Sequence, residues 1–307
     1  MNENITLKEI TAPSSDGIHT LLGRLYLPSE SPKGLFHVVH GMTEYIGRYD
    51  GFMRSICAAG YAVAGFDNLG HGNTAGPGEL GFIAPENGWD HLARDVEEMR
   101  KSAAEIVGAD LPYFLMGHSM GSFIVRVSAG KYVTPRKLVV MGTGGPNPAT
   151  GAGKALVKLT KKAKGDKYVS KFLDNMAFGA YNKKFKDEDD VRAWLTKDRS
   201  VREKYDNDPF CNYKFTVSAM GDLLELTDRC NKAAWLEDFP DTMPVLLVSG
   251  TDDPVGDYGK GVQKVYESLK KNGKDVTMKL YENNRHEILN DTAREEVIRD
   301  ILAFIGA

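Results

Sequence analysis

Five short, almost uninterrupted apolar runs constrain this chain more than any other feature. They are LFHVVH at 35–40, YAVAGF at 61–66, YFLM at 113–116, KLVVM at 137–141 and VLLVS at 245–249. None shows the apolar–polar alternation of a strand with one wet face. A strand that is apolar on both faces must be covered on both, which predicts a mostly parallel sheet between two layers of helix. Helical patterns fill the gaps. Trp89, Leu92, Val96, Met99 and Ala103 recur at three- and four-residue spacing, as do Val262, Val265 and Leu269, with Gly273 as a stop. The last pattern carries Val297, Ile298, Ile301, Leu302 and Ile305, and Thr292 with Glu295 predicts a capping box at its start. Segments 5–11 and 19–27 do alternate. Joined through Ser15-Asp16-Gly17, they predict an antiparallel hairpin at one sheet edge.

The strand–helix alternation breaks near Gly144 and resumes at Pro244. Because the chain returns to the same pattern, an insertion explains the break better than a second domain. The expected organisation is a core of residues 1–145 and 239–307 around a helical cap or lid at 146–238. At 307 residues, the chain can bury a large core without staples.

Composition narrows the function classes. A net charge of −3 provides no global basic field for nucleic acid. Cys57, Cys211 and Cys230 are odd in number and far apart, so they predict free thiols and a reducing compartment rather than disulfides or a metal knuckle. The polar start MNENITLKEI lacks a signal-peptide core, and no apolar run approaches the roughly 20 residues that span a bilayer. The expected setting is the cytoplasm. Oligomeric state is left open.

Gly117-His118-Ser119-Met120-Gly121 fits G-x-S-x-G. A match this short is weak alone; its context strengthens it. An apolar strand runs into it and a helical pattern leads away, the strand–turn–helix that lifts a serine hydroxyl clear of a sheet. A serine nucleophile needs a base and an orienting acid, in the chain order Ser, Asp or Glu, His. Of seven histidines only His286 follows Ser119. The acid should follow the run at 245–249, where Asp252, Asp253 and Asp257 compete and spacing does not separate the first two. The oxyanion hole needs two backbone N–H groups: that of Met120, after the nucleophile, and that of Met42, in the loop after 35–40. GAGK at 151–154 lacks the remaining residues of a phosphate loop, and no cofactor or metal fingerprint is present, so neither is implied.

Four stretches carry a resemblance: HGMTEYIGRY at 40–49, GFDNLGHGNT at 65–74, GHSMG at 117–121, and SGTDDPVGD followed by RHEILN. With these, the chain resembles α/β-hydrolases of the monoacylglycerol lipase/lysophospholipase, or serine aminopeptidase-like, group. The resemblance implies Ser119 as nucleophile, Asp253 as acid through G-x-x-D, His286 as base, and Met42 and Met120 at the oxyanion positions. Glu44 and Arg48 match its polar pattern, and are expected either to line the alcohol side of the site or to pair with each other. Tyr45 and Ile46 depart from the His-Ser more usual in monoacylglycerol lipases. Asp67 and His71 are implied to shape a loop rather than to catalyse, and His118 to pack beneath the elbow.

Residues 154–186 hold ten lysines against Asp166 and Asp174. A solvated helix with a core face accounts for them; a lid resting transiently on an anionic membrane or micelle is the sharper expectation. Trp194, Phe210, Tyr213, Phe215 and Trp235 are candidates for an acyl pocket. The expected activity is hydrolysis of a small ester or lipid. A peptidase using the DEDD run at 187–190 to hold an amino group is the first alternative, and a non-catalytic ligand-binding protein the second.

Overall fold

The computed structural model describes residues 5–306. Eight strands form one sheet: β1 (Ile5–Pro13), β2 (Thr20–Pro28), β3 (Leu35–Val39), β4 (Ala62–Phe66), β5 (Tyr113–His118), β6 (Lys137–Met141), β7 (Val245–Gly250) and β8 (Val276–Tyr281). Their order is β1-β2-β4-β3-β5-β6-β7-β8. The hairpin of β1 and β2 is the antiparallel edge, and every pairing from β4–β3 to β7–β8 is parallel. Every residue of β3 to β7 is buried, as the continuous apolar runs require.

Side chains alternate between two cores. Phe36, Val38, Met116 and Val248 pack with α1 (Asp50–Ala58) and α10 (Arg294–Gly306). Leu35, Leu115, Val140 and Leu247 pack on the other face with α2 (Gly88–Val107), α3 (Met120–Ser128) and α9 (Lys260–Lys271). This is the α/β-hydrolase fold. All three cysteines are free and buried. The capping box expected at the start of α10 does not form: the Thr292 hydroxyl turns to Asn284 Oδ1 (3.2 Å), and the same Asn284 oxygen accepts the Ala293 N–H (2.9 Å). A loop asparagine held by the preceding turn reaches these donors before the local pair can.

Between β6 and β7 the chain forms five α-helices, α4 (Thr150–Lys164), α5 (Lys171–Phe178), α6 (Arg199–Asn207), α7 (Val217–Arg229) and α8 (Ala233–Asp238), and a 3-10 helix at Tyr181–Glu188. Helix α7 bears on α2, where Asp222 accepts the Trp89 N–H at 3.0 Å and so serves the N-terminus of a core helix. Its Thr216 and Ser218 bind the carbonyls of Gly81 and Ala84.

Candidate active site

Parallel strands direct the loops at their C-terminal ends to one side of the sheet. Ser119 follows β5 and adopts φ 54°, ψ −120°, a strained backbone for a residue with a Cβ. Close packing holds it there. A Cβ on Gly117 would lie 2.2 Å from Gly121 O, and one on Gly121 would lie 2.1 Å from Val39 O, so only glycine fits on either side of the serine. The Ser119 N–H donates to Met141 O (3.0 Å), which fixes the turn against β6.

His286 follows β8 and Asp253 follows β7. Their side chains meet at 3.0 Å, His286 Nδ1 to Asp253 Oδ1, at 2% and 0% side-chain exposure. Asp253 also accepts from the Ser249 hydroxyl (3.0 Å) and the Val255 N–H (2.9 Å). Burial alone would raise its pKa; the attraction and hydrogen bond of His286, with these two further donors, lower it instead. Asp252 instead points outward to Lys184 (3.4 Å). With Nδ1–H given to the carboxylate, His286 Nε2 is left as the unprotonated ring nitrogen. Ser119 Oγ makes no hydrogen bond to that nitrogen in this structure; such bonds commonly tighten only around substrate. The two regions are nevertheless adjacent, because a Cβ on Gly142, one residue past Met141, would lie 3.1 Å from His286 Cε1.

The loop after β3 crosses Ser119 closely: a Cβ on Gly41 would lie 3.0 Å from Ser119 Cβ. Met42 N–H makes no hydrogen bond among the described residues, and Met120 N–H stands at the first position of α3, where no intrahelical acceptor exists. Two free donors therefore flank the serine. Glu44 shapes this loop by accepting the Gly41 N–H (2.6 Å).

Glu44 and Arg48 are brought together, and their polar groups are committed inside the protein. Arg48 binds Glu44 Oε2 (2.7 Å) and both oxygens of Glu287 (2.7 and 2.8 Å). Tyr49 donates its hydroxyl proton to Glu44 Oε1 (2.7 Å). Burial opposes ionisation of Glu44, but His118 and Arg48 hold its carboxyl well below the usual range. The pair thus holds the loop after β3 from inside the protein.

His118 lies between these groups and His286. Its Nδ1 lies 2.7 Å from the Tyr49 hydroxyl oxygen and its Nε2–H donates to the His286 carbonyl (3.3 Å). The carbonyl can only accept, so Nε2 carries a proton. Burial pulls its pKa down, yet the nearby Glu44 carboxylate outweighs burial and raises it. The ring also packs on His286, with centroids 4.8 Å apart.

The β6–β7 segment supplies partners that sequence reasoning missed. The carbonyls of Trp194 and Leu195 accept the N–H groups of His286 (3.4 Å) and Glu287 (2.7 Å), and the Trp194 ring lies 5.2 Å from that of His286. On α6, the Tyr205 hydroxyl donates to Thr43 O (2.8 Å), pinning the residue after Met42. No spacing rule signals contacts made over such chain distances. The expected aromatic pocket is divided. Trp194 packs on His286, Phe215 and Tyr213 pack on His71, Phe210 packs on Tyr45, and Trp235 packs on Phe239. His71 is buried, and burial lowers its pKa to about 3; Asp67 accepts loop N–H groups. Both shape the loop.

Comparison with known proteins agrees with this geometry. Residues 30–293 match the family model described as Serine aminopeptidase, S33. The chain is 28% identical to the monoglyceride lipase of Mus musculus over 279 residues, covering 89% of this chain and 81% of that protein. It is 27% identical to the monoacylglycerol lipase of Mycolicibacterium smegmatis over 292 residues, covering 92% and 91%. The crystal structure of a thermostable carboxyl esterase from Bacillus coagulans in complex with glycerol superimposes with a TM-score of 0.92 at 29% identity, covering 98% of both chains. The chain belongs to the Serine aminopeptidase, S33, family of α/β-hydrolases, as a serine ester hydrolase.

Proposed function

We propose that the protein hydrolyses monoacylglycerols or lysophospholipid-like esters through an acyl-enzyme on Ser119. The observation that carries this reading is the buried His286–Asp253 pair beside a serine held in a strained strand-to-helix turn. Ser119 Oγ attacks the ester carbonyl while His286 Nε2 takes its proton. Asp253 holds the imidazole in the required tautomer and favours the imidazolium. The oxyanion is held by the N–H groups of Met42 and Met120. Collapse of the intermediate expels the alcohol, which receives the proton from His286. A water, deprotonated by the same histidine, then releases the carboxylic acid and restores Ser119. The lipase relatives and the glycerol bound by the Bacillus coagulans esterase favour a glycerol-type alcohol. A peptidase would need a free carboxylate near the site. Of the candidate run 187–190, Glu188 is committed to Arg285 and Arg202, which lower its pKa to about 2, and Asp190 pairs with Arg202, while Asp187 and Asp189 are exposed.

Residues 146–238 act as a cap over a core of 1–145 and 239–307. Leu159, Phe172 and Met176 are 66%, 67% and 53% exposed. They stand among the exposed Lys158, Lys162 and Lys171, a surface suited to transient contact with anionic lipid. Among the described residues no helix is long and apolar enough to cross a membrane.

Ser119→Ala should lower p-nitrophenyl butyrate turnover by at least ~10⁴-fold with an unchanged melting temperature. Turnover within tenfold of wild type would refute the assignment. A chain-length series of monoacylglycerols then fixes the acyl preference.

A further inference from the structure

Arg126 is a charged residue that the mechanism above does not use. It lies on α3, about 10 Å along the helix from Ser119, and is among the largest fully buried side chains at 1% exposure. Every hydrogen-bond acceptor it meets is neutral, and its Nε–H has none. Burial accordingly lowers its pKa from the ordinary guanidinium value. A buried cation without a carboxylate is costly, and an apolar side chain of similar volume would be easier to accommodate.

The acceptors explain what the guanidinium does. Nη1 donates to Thr143 Oγ1 (3.1 Å) and Gly144 O (3.2 Å). Nη2 donates to Cys230 O (2.6 Å) and Asn231 Oδ1 (2.9 Å), and the Trp235 ring lies 4.7 Å from Cζ. Thr143 and Gly144 are where the chain leaves the sheet after β6. Cys230 and Asn231 end α7, and Trp235 lies on α8, the last helix before β7. Asn231 Nδ2 also donates to Gly144 O (3.5 Å), linking the two ends directly. One side chain thus grips both ends of the inserted segment, and it grows from the helix that begins at the nucleophile.

We propose that Arg126 is a positioning residue, a pin that fixes both ends of the 146–238 insertion to the Ser119 helix and so keeps the insertion in register over the site. The proposal rests on the reading of Ser119 as nucleophile beneath an acyl-contacting cap. Only a planar group with five donors can serve two carbonyls, a hydroxyl and an amide together; an ammonium or a thioether cannot. A slack insertion should penalise substrates whose acyl chain reaches it, and spare those that end in the core.

The test compares wild type with Arg126→Met and Arg126→Ala on p-nitrophenyl acetate and p-nitrophenyl laurate. For Arg126→Met, we expect acetate kcat within ~3-fold, unchanged labelling by a small fluorophosphonate, and a laurate KM raised at least ~10-fold. In Arg126→Ala, added ethylguanidinium should restore part of the laurate activity. Equal losses on both esters without rescue, or an unchanged laurate KM, would overturn the proposal. If wild type neither labels nor turns over, the Ser119 reading fails instead. The pin is then judged by hydrogen exchange at 143–146 and 230–235, which must quicken in Arg126→Met. If that variant does not fold, Asn231→Ala removes one acceptor and must raise the laurate KM by a smaller factor; an unchanged KM there refutes the pin.

Discussion

The sheet core and the β6–β7 segment contribute to one site by opposite means. In the core, each proposed catalytic group sits at the end of a strand, and its position follows from parallel pairing and from glycines that admit close backbone approach. The segment contributes none of the proposed catalytic groups. It acts through scattered long-range bonds: Trp194 and Leu195 carbonyls to the His286 turn, Tyr205 to the Met42 loop, Asp222 to the start of α2. Buried carboxylates also differ in their partners. In the core, Glu44, Glu287 and Asp253 are each paired with a cation or imidazole, and burial loses to these partners, so all three pKa values fall. Asp222 in the segment has no ion pair and one unpartnered oxygen, so burial wins and raises its pKa to about 7. Pairing, rather than burial alone, decides whether a buried carboxylate stays charged.

The largest effect expected from this contrast is in the core. Asp253→Asn should cost on the order of 10⁴-fold in kcat. Asp252→Asn, a change at a surface ion pair, should stay within threefold. Comparable losses from both would break the distinction between the buried pair and its neighbour.

The next test is pH. His118 has a raised pKa when folded, so its contribution to stability is fully present below its ordinary value near ~6.5 and is lost as pH rises through the folded value. Asp253, Glu44 and Glu287 have lowered pKa values, so theirs is present above the ordinary carboxylate range and lost as pH falls through the folded values. Stability of the wild type should therefore be greatest between about pH 5 and 6.5. His118→Gln should flatten the alkaline decline in urea-melt stability. An undiminished decline in that variant would mean that His118 does not carry the alkaline titration.

A smaller effect of the same kind is expected where the segment meets the core. The raised pKa of Asp222 makes its contribution largest below about pH 4 and diminishing as pH rises toward 7. Asp222→Asn keeps an oxygen for the Trp89 N–H and removes the titration. It should gain on the order of 1 kcal/mol at pH 8 and nothing at pH 4. A loss at pH 8 would show that the charge itself holds α7 to the N-terminus of α2.

The smallest stability change, within about 0.5 kcal/mol, is expected for Phe172→Ser on the exposed face of α5. The same change should weaken co-sedimentation with anionic vesicles at low salt. Equal, negligible binding by both proteins would remove the lipid-contact role of the segment.

Much of the core was legible in sequence because its signals are local. Continuous apolar runs mark strands with two covered faces, and helical spacing marks the layers that cover them. Gly117 and Gly121 can be read because no side chain fits at either place. A sole downstream histidine limits the base to His286. Glu44 and Arg48 were legible as a pair, but their third partner, Glu287, lies 239 residues from Arg48. The segment was legible only as an interruption. The work of Trp194, Tyr205 and Arg126 could not be read there, since their partners sit in other elements.

The sequence by itself determined the order of strands and helices, the strained turn at Ser119 and the chain order of serine, aspartates and histidine, because each follows from periodicity or from steric need within a few residues. Only the tertiary structure decided which aspartate meets His286, that His118 packs between Glu44 and His286, and that a single buried guanidinium joins the two ends of the insertion. Those outcomes depend on distances between residues far apart in the chain, and on how much water each charge loses when the elements close around it.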